Sequence, residues 1–294
     1  QGMVVADPLG HLLAFFAALS VMVTLAYAQP YIGSREMRKG EFFTLSLLAL
    51  LGVCVMVSAN NFLVVYLGLE LMSLSLYALT ALRRDHAMAT EAAMKYFVLG
   101  ALASGFLLYG LSMMYGATRS LEINEVFNAI GTGRINATVL TFGVVFVVAG
   151  LAFKLGVVPF HMWVPDVYHG APTAVTLFIG SVPKLASFAL VWRVLAEGLG
   201  PLHEGGWRDM LIVLCVLSLG LGNLVAIAQT NIKRMLAYST ISHVGFIFMG
   251  FIAGNESGLS AAMFYTFAYV LMAAAAFGMV ILLSRRGFEA ERLE

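Results

Sequence analysis

The segment PFHMWVPDVYHGAP, residues 159–172, decides the fold of this chain, because it interrupts a long apolar stretch with three prolines. Proline lacks a backbone N–H and clashes with the preceding helical turn, so a helix cannot pass through such a segment. Broken backbone at membrane depth is tolerated only where it is buried in protein or lines a wet cavity. We therefore predict one discontinuous helix around 138–180, with a first half at 138–158, a loop, and a second half at 172–180. A further crossing is predicted to begin near Pro183.

The composition around this segment is that of a membrane protein. Of the 294 residues, 61% are hydrophobic and only 11% are charged, and the mean hydropathy is +0.90. A soluble domain carries about 25% charged residues, so this chain has too little polar surface to face water. Apolar runs long enough to span a bilayer predict an all-α, polytopic helix bundle in a single transmembrane domain over 1–294. About nine crossings are expected, at 8–28, 42–59, 62–82, 92–115, 138–158, 172–199 (with its break), 209–228, 235–253 and 259–283.

Charge and cysteine content exclude several other classes. The net charge of +1 gives no electrostatic basis for binding nucleic acid. Cys54 and Cys215 lie far apart in apolar runs, and no CxxC motif or ligand set for zinc or an iron–sulfur cluster is present. Redox chemistry is therefore expected on another chain. Because the sequence begins with Gln1 and stops after a charged segment, we expect a fragment of a longer protein.

Basic residues are distributed unevenly between the predicted loops. If the discontinuous helix counts as one crossing, the loops alternate between two sides, with ten basic residues on one side and three on the other. The positive-inside rule makes the first side cytoplasmic. The ten are Arg35, Arg38, Lys39, Arg83, Arg84, Lys233, Arg234, Arg285, Arg286 and Arg292, and the three are Arg119, Arg134 and Arg208.

Two segments resemble each other within the chain. SANNFLVVYLGLE (58–70) and AQTNIKRMLAYST (228–240) both open a span with Asn at matching places, and AAMKY (92–96) resembles AAMFY (261–265). In the predicted topology the copies run in opposite directions, as in inverted-repeat transporters. We expect a first repeat at about 42–199 and an incomplete second repeat from about 208. Chance similarity between apolar helices is the alternative.

Six ionisable residues inside the predicted spans or in the break are candidate site residues, since an ionisable group costs roughly 2.5–3.5 kcal/mol at a helix centre. Burial lowers the pKa of a lysine and raises that of a glutamate, so that both can exchange protons near neutral pH. A row of such groups predicts a proton relay whose occupancy is set by neighbouring charges. The six are Glu70, Lys95, Lys154, His161, Lys184 and His243.

Simpler interpretations exist for some of them. Lys95 and Lys184 lie about one turn inside their helices and can extend to the headgroups, and Lys184 could simply begin a helix after Pro183. His243 fits a hydrogen-bonded packing residue. Arg193 also lies inside a predicted span but is not one of the six, because it fits an interfacial anchor near the end of that span. Glu70 and Lys154 are too deep to reach the headgroups easily.

Several segments resemble a known family of membrane proteins. Over essentially its whole length, the chain resembles the antiporter-like membrane subunits of bacterial complex I, the proton-translocating NADH–quinone oxidoreductase. Among these subunits, it resembles the subunit N family. The segments that carry this resemblance are GLELMSLSLYALTALRR (68–84), EAAMKYFVLGALASG (91–105), FKLGVVPFHMWVPDVYHGAPT (153–173), PKLASFALVWR (183–193) and NIKRMLAYSTISHVGF (231–246).

The resemblance implies a role for each matched residue. Glu70 is implied as the charge partner of Lys154 on the broken helix, and Lys95, His161 and Lys184 as further members of the path. His243 matches a position in the second repeat that is less surely on the path. The resemblance also implies a fourteen-helix protein with a second broken helix, which lies outside this sequence.

The same resemblance implies partners and a location. NADH, FMN, iron–sulfur clusters and quinone are expected on other subunits, with no cofactor on this chain. The neighbours would be other antiporter-like and small membrane subunits of complex I in the bilayer of the bacterial inner membrane. Two rival hypotheses are a subunit of a stand-alone multi-subunit cation/proton antiporter and a non-conducting assembly chain whose buried charges only pair with neighbouring helices.

Overall fold

A computed structural model describes residues 2–35, 37–133, 135–285 and 288–293. Within these residues the chain is all-helical, and nine helices are long and apolar enough to cross a membrane. This confirms the predicted fold class. The helices are α1 (Pro8–Ser34), α2 (Gly40–Val57), α3 (Phe62–Thr80), α4 (Ala87–Thr118), α5 (Ile123–Gly131), α6 (Ala137–Leu155), α7 (Trp163–Gly170), α8 (Thr173–Val191), α9 (Arg208–Ile227), α10 (Ile232–Ala253) and α11 (Glu256–Leu283).

The discontinuous helix consists of α6 and α7, joined by an irregular segment. α6 ends at Leu155 because Gly156 takes a left-handed conformation with φ of +77°, which glycine adopts without a steric penalty. A side chain there would also collide with Val164, since an added Cβ would lie 2.4 Å from its Cγ2. The break in the chain is therefore confirmed, although it begins earlier than predicted.

The predicted second half at 172–180 and a new crossing from Pro183 are both wrong. The short second half is α7, in which Pro165 occupies the third position. The first four N–H groups of a helix have no intrahelical partner, so proline is tolerated there. α8 then runs without interruption through Pro183 and continues into a π-helical turn, Trp192–Gly198.

α8 can contain Pro183 because it lies in the centre of the bundle. Every residue from Thr173 to Val191 is buried. Neighbouring helices and hydroxyl side chains can satisfy the backbone groups that a buried proline frees. The hydroxyls of Ser181 and Ser187 are themselves satisfied within the helix, since they donate to the carbonyls of Leu177 and Pro183, respectively.

Two parts of the bundle repeat the same hydrogen bonds at an offset of 170 positions. Asn61 pairs with Glu122 as Asn231 pairs with Arg292. The N–H of Phe62 binds the carbonyl of Leu121 as that of Ile232 binds Glu291. Helix packing repeats too. Gly52 lets α2 approach the backbone of α3, and Gly222 lets α9 approach the backbone of α10 in the same way. These correspondences support the inverted repeat and disfavour chance similarity.

Contacts between loops follow the predicted alternation of sides. On the basic side, defined by the loops predicted to be cytoplasmic, Arg35 binds Glu289 and Lys233 binds Glu291. On the opposite side, Val4 pairs with Ala59, and Arg193 binds Asp7. Of the basic residues counted from the sequence, Arg134 and Arg286 lie outside the described residues.

Candidate functional site

Glu70 of α3 and Lys154 of α6 form a buried acid–base pair. Lys154 Nζ lies 3.4 Å from Glu70 Oε1, and the two side chains are 7% and 20% exposed. Lys154 stands in the last turn of α6, where the partial negative charge of the helix end favours a cation. The structure thus brings together the two residues that the sequence analysis placed deepest in the membrane.

Three hydroxyl groups surround this pair. Lys154 Nζ donates to Ser73 Oγ and to the Tyr77 hydroxyl, both at 3.3 Å, and Ser104 of α4 donates to Glu70. Sequence reasoning did not single out these residues. The signal for two of them was available, because Ser73 and Tyr77 lie three and seven residues after Glu70, on the same face of one helix.

A glycine makes room for one of these hydroxyls. A Cβ at Gly100 of α4 would lie 2.0 Å from the oxygen of Tyr77, a separation that no side chain can adopt. Tyr77 is 6% exposed and packs edge-on against the ring of Tyr96. The missing side chain at Gly100 therefore positions the Tyr77 hydroxyl beside Lys154.

A small cavity joins Lys154 to Lys184 of α8. It offers about 20 Å³ to the centres of water molecules, and its walls include both lysines, Ser73, Tyr77 and Ser187. Since about 10–15 Å³ is enough for one water, the cavity can hold a single bridging molecule. Polar side chains on its wall supply the hydrogen-bond partners that such a molecule needs.

Lys184 does not extend to the headgroups and does not begin a helix. It lies within α8 and is 3% exposed, and its Nζ donates to the carbonyl of Leu155 at 3.4 Å. That carbonyl is at the end of α6, where the break leaves it without an intrahelical partner. Burial at the interrupted helix favours the interpretation of Lys184 as a site residue.

Lys95 of α4 lies in a more open environment. Its Nζ binds Glu91 and Asp166, each at 2.8 Å, and its side chain is 43% exposed. Asp166 of α7 also accepts from Arg234 of α10 at 3.0 Å. The carboxylate of Asp166 therefore connects the first repeat to the second, a role that sequence reasoning missed because it treated 159–172 as a loop.

The two candidate histidines each lie near a different tyrosine. His161 lies in the break, as predicted, with its ring 6.4 Å from the ring of Tyr238. His243 is half-buried, and its Nδ1 lies 2.8 Å from the Tyr265 hydroxyl of α11. This contact fits both a packing role and a place in a hydrogen-bonded row, so the role of His243 remains a prediction.

Lys233 is a buried lysine that the sequence analysis placed in a water-exposed loop. It is 1% exposed, at the start of α10, and donates to the carbonyl of Ala171 at 2.8 Å. Its charge is balanced by Glu291, at 3.4 Å, which also lies 3.4 Å from His169. Burial alone would raise the pKa of Glu291, but the hydrogen bond from His169 and the charge of Lys233 lower it to about 2.

Arg193 is also embedded in protein. It lies near the end of its span, as predicted, but is 3% exposed and binds Asp7 at 2.6 Å and Glu197 at 2.9 Å. Its guanidinium further donates to the carbonyl of Val57. Arg193 thus ties α1 and α2 to the turn after α8, and the predicted contact with lipid headgroups is wrong.

The arrangement suits proton exchange. An acid, a base and several hydroxyl groups stand together in a water-poor interior, where small changes in the surrounding charges shift protons between them. Among the described residues, no three His, Cys, Asp or Glu side chains are placed to hold a metal ion.

Together, the bundle, the broken helix and the buried acid–base pair define the class of inverted-repeat membrane proteins with a discontinuous helix. The model of one family, the transmembrane region of NADH:quinone oxidoreductase and Mrp antiporters, matches residues 59–293. The chain belongs to this family.

Individual relatives agree with this assignment. NADH-quinone oxidoreductase subunit N of Polaromonas naphthalenivorans (strain CJ2) is 61% identical over 300 residues, which cover 99% of this chain and 60% of the relative. The subunit N of Thiobacillus denitrificans (strain ATCC 25259 / T1) is 60% identical, covering 100% and 60%, respectively. The chain thus spans about 60% of the length of these relatives.

Solved structures share the architecture. A chain of respiratory complex I from Thermus thermophilus with bound aureothin superposes with a TM-score of 0.78 at 35% identity, covering 98% of this chain and 59% of that one. A chain of the Mrp complex from Dietzia sp. DQ12-45-1b gives a TM-score of 0.81 at 23% identity, covering 92% and 50%. The second match shows a common fold alone.

Proposed function

We propose that this chain forms part of the proton path of a bacterial respiratory complex I, in the position of its subunit N. The observation that carries the proposal is the buried contact of Lys154 with Glu70 at the end of a broken helix. A change in the charge around Glu70 would make Lys154 take up or release a proton. Lys184 receives that proton across the small cavity, and Lys95, His161 and His243 extend the path.

Electron transfer would take place elsewhere in the complex. In this proposal NADH, FMN, iron–sulfur clusters and quinone reside on other subunits, and this chain contributes no redox centre. Its partners are neighbouring antiporter-like and small membrane subunits in the inner membrane. Coupling reaches this chain as a change in the pairing of Glu70 with Lys154.

A second candidate is a subunit of a stand-alone cation/proton antiporter, which the structural match to the Mrp complex brings forward. Identity favours the first candidate, since subunit N relatives are about 60% identical, whereas the Mrp chain is 23% identical. Co-purification separates the two, because a complex I subunit purifies with iron–sulfur subunits and an antiporter subunit does not.

The decisive experiment measures proton pumping against quinone reduction in membranes that carry Lys154→Ala in the full-length protein. We expect normal assembly with a sharp loss of pumping, and a similar loss in Glu70→Gln. The matched control is Lys39→Ala, which removes an exposed lysine at the basic side. If both site variants pump protons at the level of the control, the proposal is wrong. If the variants assemble poorly but the complexes that do assemble are fully active, a non-conducting scaffold role is favoured.

A further inference from the structure

α7, the short half of the broken helix, contacts the last turn of α6 at its start. Trp163 Nε1 donates to the carbonyl of Phe153 at 2.8 Å, and Phe153 directly precedes Lys154. The ring of Trp163 also stacks on that of Tyr96, with centroids 4.6 Å apart. Tyr96 packs edge-on against Tyr77, whose hydroxyl accepts a hydrogen bond from Lys154. A displacement of α7 therefore alters the surroundings of Lys154.

The other end of α7 carries a histidine that is not part of the proposed proton path. His169 follows Trp163 by six residues, so about 9 Å separates them along the helix. His169 Nε2 lies 3.4 Å from Glu291 Oε2, and both side chains are 25% exposed. The same carboxylate oxygen accepts a hydrogen bond at 3.2 Å from Asn231, the N-cap residue of α10. Glu291 thus joins the end of α7 to the start of α10.

Glu291 is itself held in place and charged. The backbone N–H of Ile232 donates to the Glu291 carbonyl at 2.7 Å, and Lys233 Nζ lies 3.4 Å from Glu291 Oε1. Burial raises the pKa of Glu291, but the hydrogen bond from His169 and the charge of Lys233 lower it to about 2. Glu291 is therefore a constant negative charge beside His169 at neutral pH.

Water reaches His169 through an open cleft on the basic side. The cleft has a volume of about 80 Å³ and lies between His169 and the first two turns of α4. Its wall includes Glu91 and Lys95, whose side chains are 66% and 43% exposed. About 10–15 Å³ is enough for one water, so several fit. His169 can therefore exchange a proton with the solvent of that side.

The charged side chains that line the cleft or contact His169, together with their ion-pair partners, come from four elements: α4, α7, α10 and the segment after α11. They are Glu91, Lys95, Asp166, Lys233, Arg234 and Glu291. Glu91 and Asp166 are both paired with Lys95 at 2.8 Å, while Glu291 contacts His169. Histidine changes its charge between about pH 5 and 8. A charged His169 attracts Glu291, whereas a neutral His169 offers it only a weaker hydrogen bond.

We propose that His169 is a positioning residue whose protonation from the basic side holds α7 against Glu291 and keeps Lys154 in the arrangement that pumps. This inference rests on the proposed function and adds regulation of the same site by pH. His169 takes its proton from water in the cleft and returns it there, so it does not carry the transported protons. The contact with Glu291 is strongest at low pH and weakens as the pH rises through the range in which histidine loses its charge.

The test measures protons pumped per quinone reduced by assembled complexes in inverted membrane vesicles, whose outer face is the predicted cytoplasmic side. The variant is His169→Gln in the full-length protein, because glutamine is neutral and can still donate a hydrogen bond. The ratio of variant to wild-type pumping should be close to one at about pH 8 and fall about twofold by about pH 6, as expected for a partly exposed ion pair.

Two further variants complete this test. His169→Lys stays charged, so it should match the wild type at about pH 6 and exceed it at about pH 8. The matched control is His11→Gln, which removes an exposed histidine from the start of α1. The control should pump like the wild type throughout.

The remaining outcomes separate this inference from the proposed function. If His169→Gln follows the wild type at every pH while Lys154→Ala loses pumping, the inference is wrong and the proposed function stands. A loss in His169→Gln that is the same at every pH would assign a purely structural role to His169 and also overturn the inference. The same holds if His169→Lys keeps the pH dependence of the wild type. If Lys154→Ala pumps normally, the proposed function fails, and the inference fails with it.

Discussion

Asn61 and Asn231 occupy equivalent places at the starts of two oppositely directed helices. Asn61 Oδ1 accepts the N–H of Leu63 at 2.9 Å, and Asn231 Oδ1 accepts that of Arg234 at 3.1 Å. Each residue also pairs through its backbone with a following segment, at Glu122 and Arg292. Asn231 lies on the basic side of the bundle and Asn61 on the side opposite to it, which is the relation expected of an inverted repeat.

We predict that Asn61→Ala and Asn231→Ala each lower the free energy of unfolding by about 1 kcal/mol, because each removes a helix N-cap. The two effects should add, since the sites lie far apart. Denaturant titration of the purified full-length protein measures both variants and their combination. Asn128→Ala, an exposed position within α5, is the control and should change little. A negligible effect at one site alone would contradict the equivalence.

We predict that Gly100→Ala damages the site, whereas Gly105→Ala on the same helix does not. A methyl group at Gly100 collides with the Tyr77 hydroxyl, while nothing lies within 4 Å of one at Gly105. Overpacking of this kind costs about 1–3 kcal/mol, and moving Tyr77 removes a hydrogen bond from Lys154. Thermal stability and proton pumping of the assembled complex should fall together in the first variant only. Equal behaviour of the two variants would show that Tyr77 moves without consequence.

The crossings were predictable because each depends on a local property, a long apolar run between polar breaks. The pairing of Glu70 with Lys154 was foreseen from family resemblance and from their depth. Tertiary packing decided the features that the sequence did not predict. Pro183 looks like a helix break in the sequence, yet α8 passes through it because the whole helix is buried. Lys233 looks like a loop residue, yet a carbonyl of the broken helix and Glu291 hold it in the interior.

Hydroxyl groups were the hardest part of the site to foresee. Ser104 lies on a helix that sequence reasoning treated as apolar apart from Lys95. Its position depends on how α4 meets α3, and local patterns carry no information about such contacts. An ionisable residue in an apolar run is conspicuous because of its desolvation cost, whereas a serine or a tyrosine is not.

Asp166→Asn is predicted to have a small effect on stability that depends on salt. The variant weakens ion pairs to Lys95 and Arg234, but all three side chains are about a third exposed or more. Partly exposed pairs contribute about 0.2–1 kcal/mol each and are screened by salt. The loss in melting temperature should therefore be modest at low salt and shrink at high salt. Glu91→Gln, at a more exposed partner of Lys95, is the comparison. A large loss that is insensitive to salt would show that Asp166 acts as a buried group.

Glu291→Gln is predicted to destabilise the protein more strongly, because it removes the carboxylate charge that pairs with the buried ammonium of Lys233. Removing one member of a buried pair costs about 3 kcal/mol or more, and the 25% exposure of Glu291 reduces this to about 2 kcal/mol. Glu256→Gln, at an exposed position at the start of α11, should change the melting temperature little.

The effect of Glu291 should also depend on pH in a defined direction. Its pKa falls from the ordinary 4.5 to about 2 in the folded protein. A carboxylate with a depressed pKa stabilises the folded state fully above the unfolded pKa, and this contribution is lost as the pH falls toward the folded pKa. The difference in stability between the wild type and Glu291→Gln should therefore narrow steadily as the pH falls from about 4.5 to about 2. Melting curves of both proteins across this range measure the difference. A gap that stays constant or widens on acidification would show that Lys233 and His169 do not hold Glu291 in its charged form.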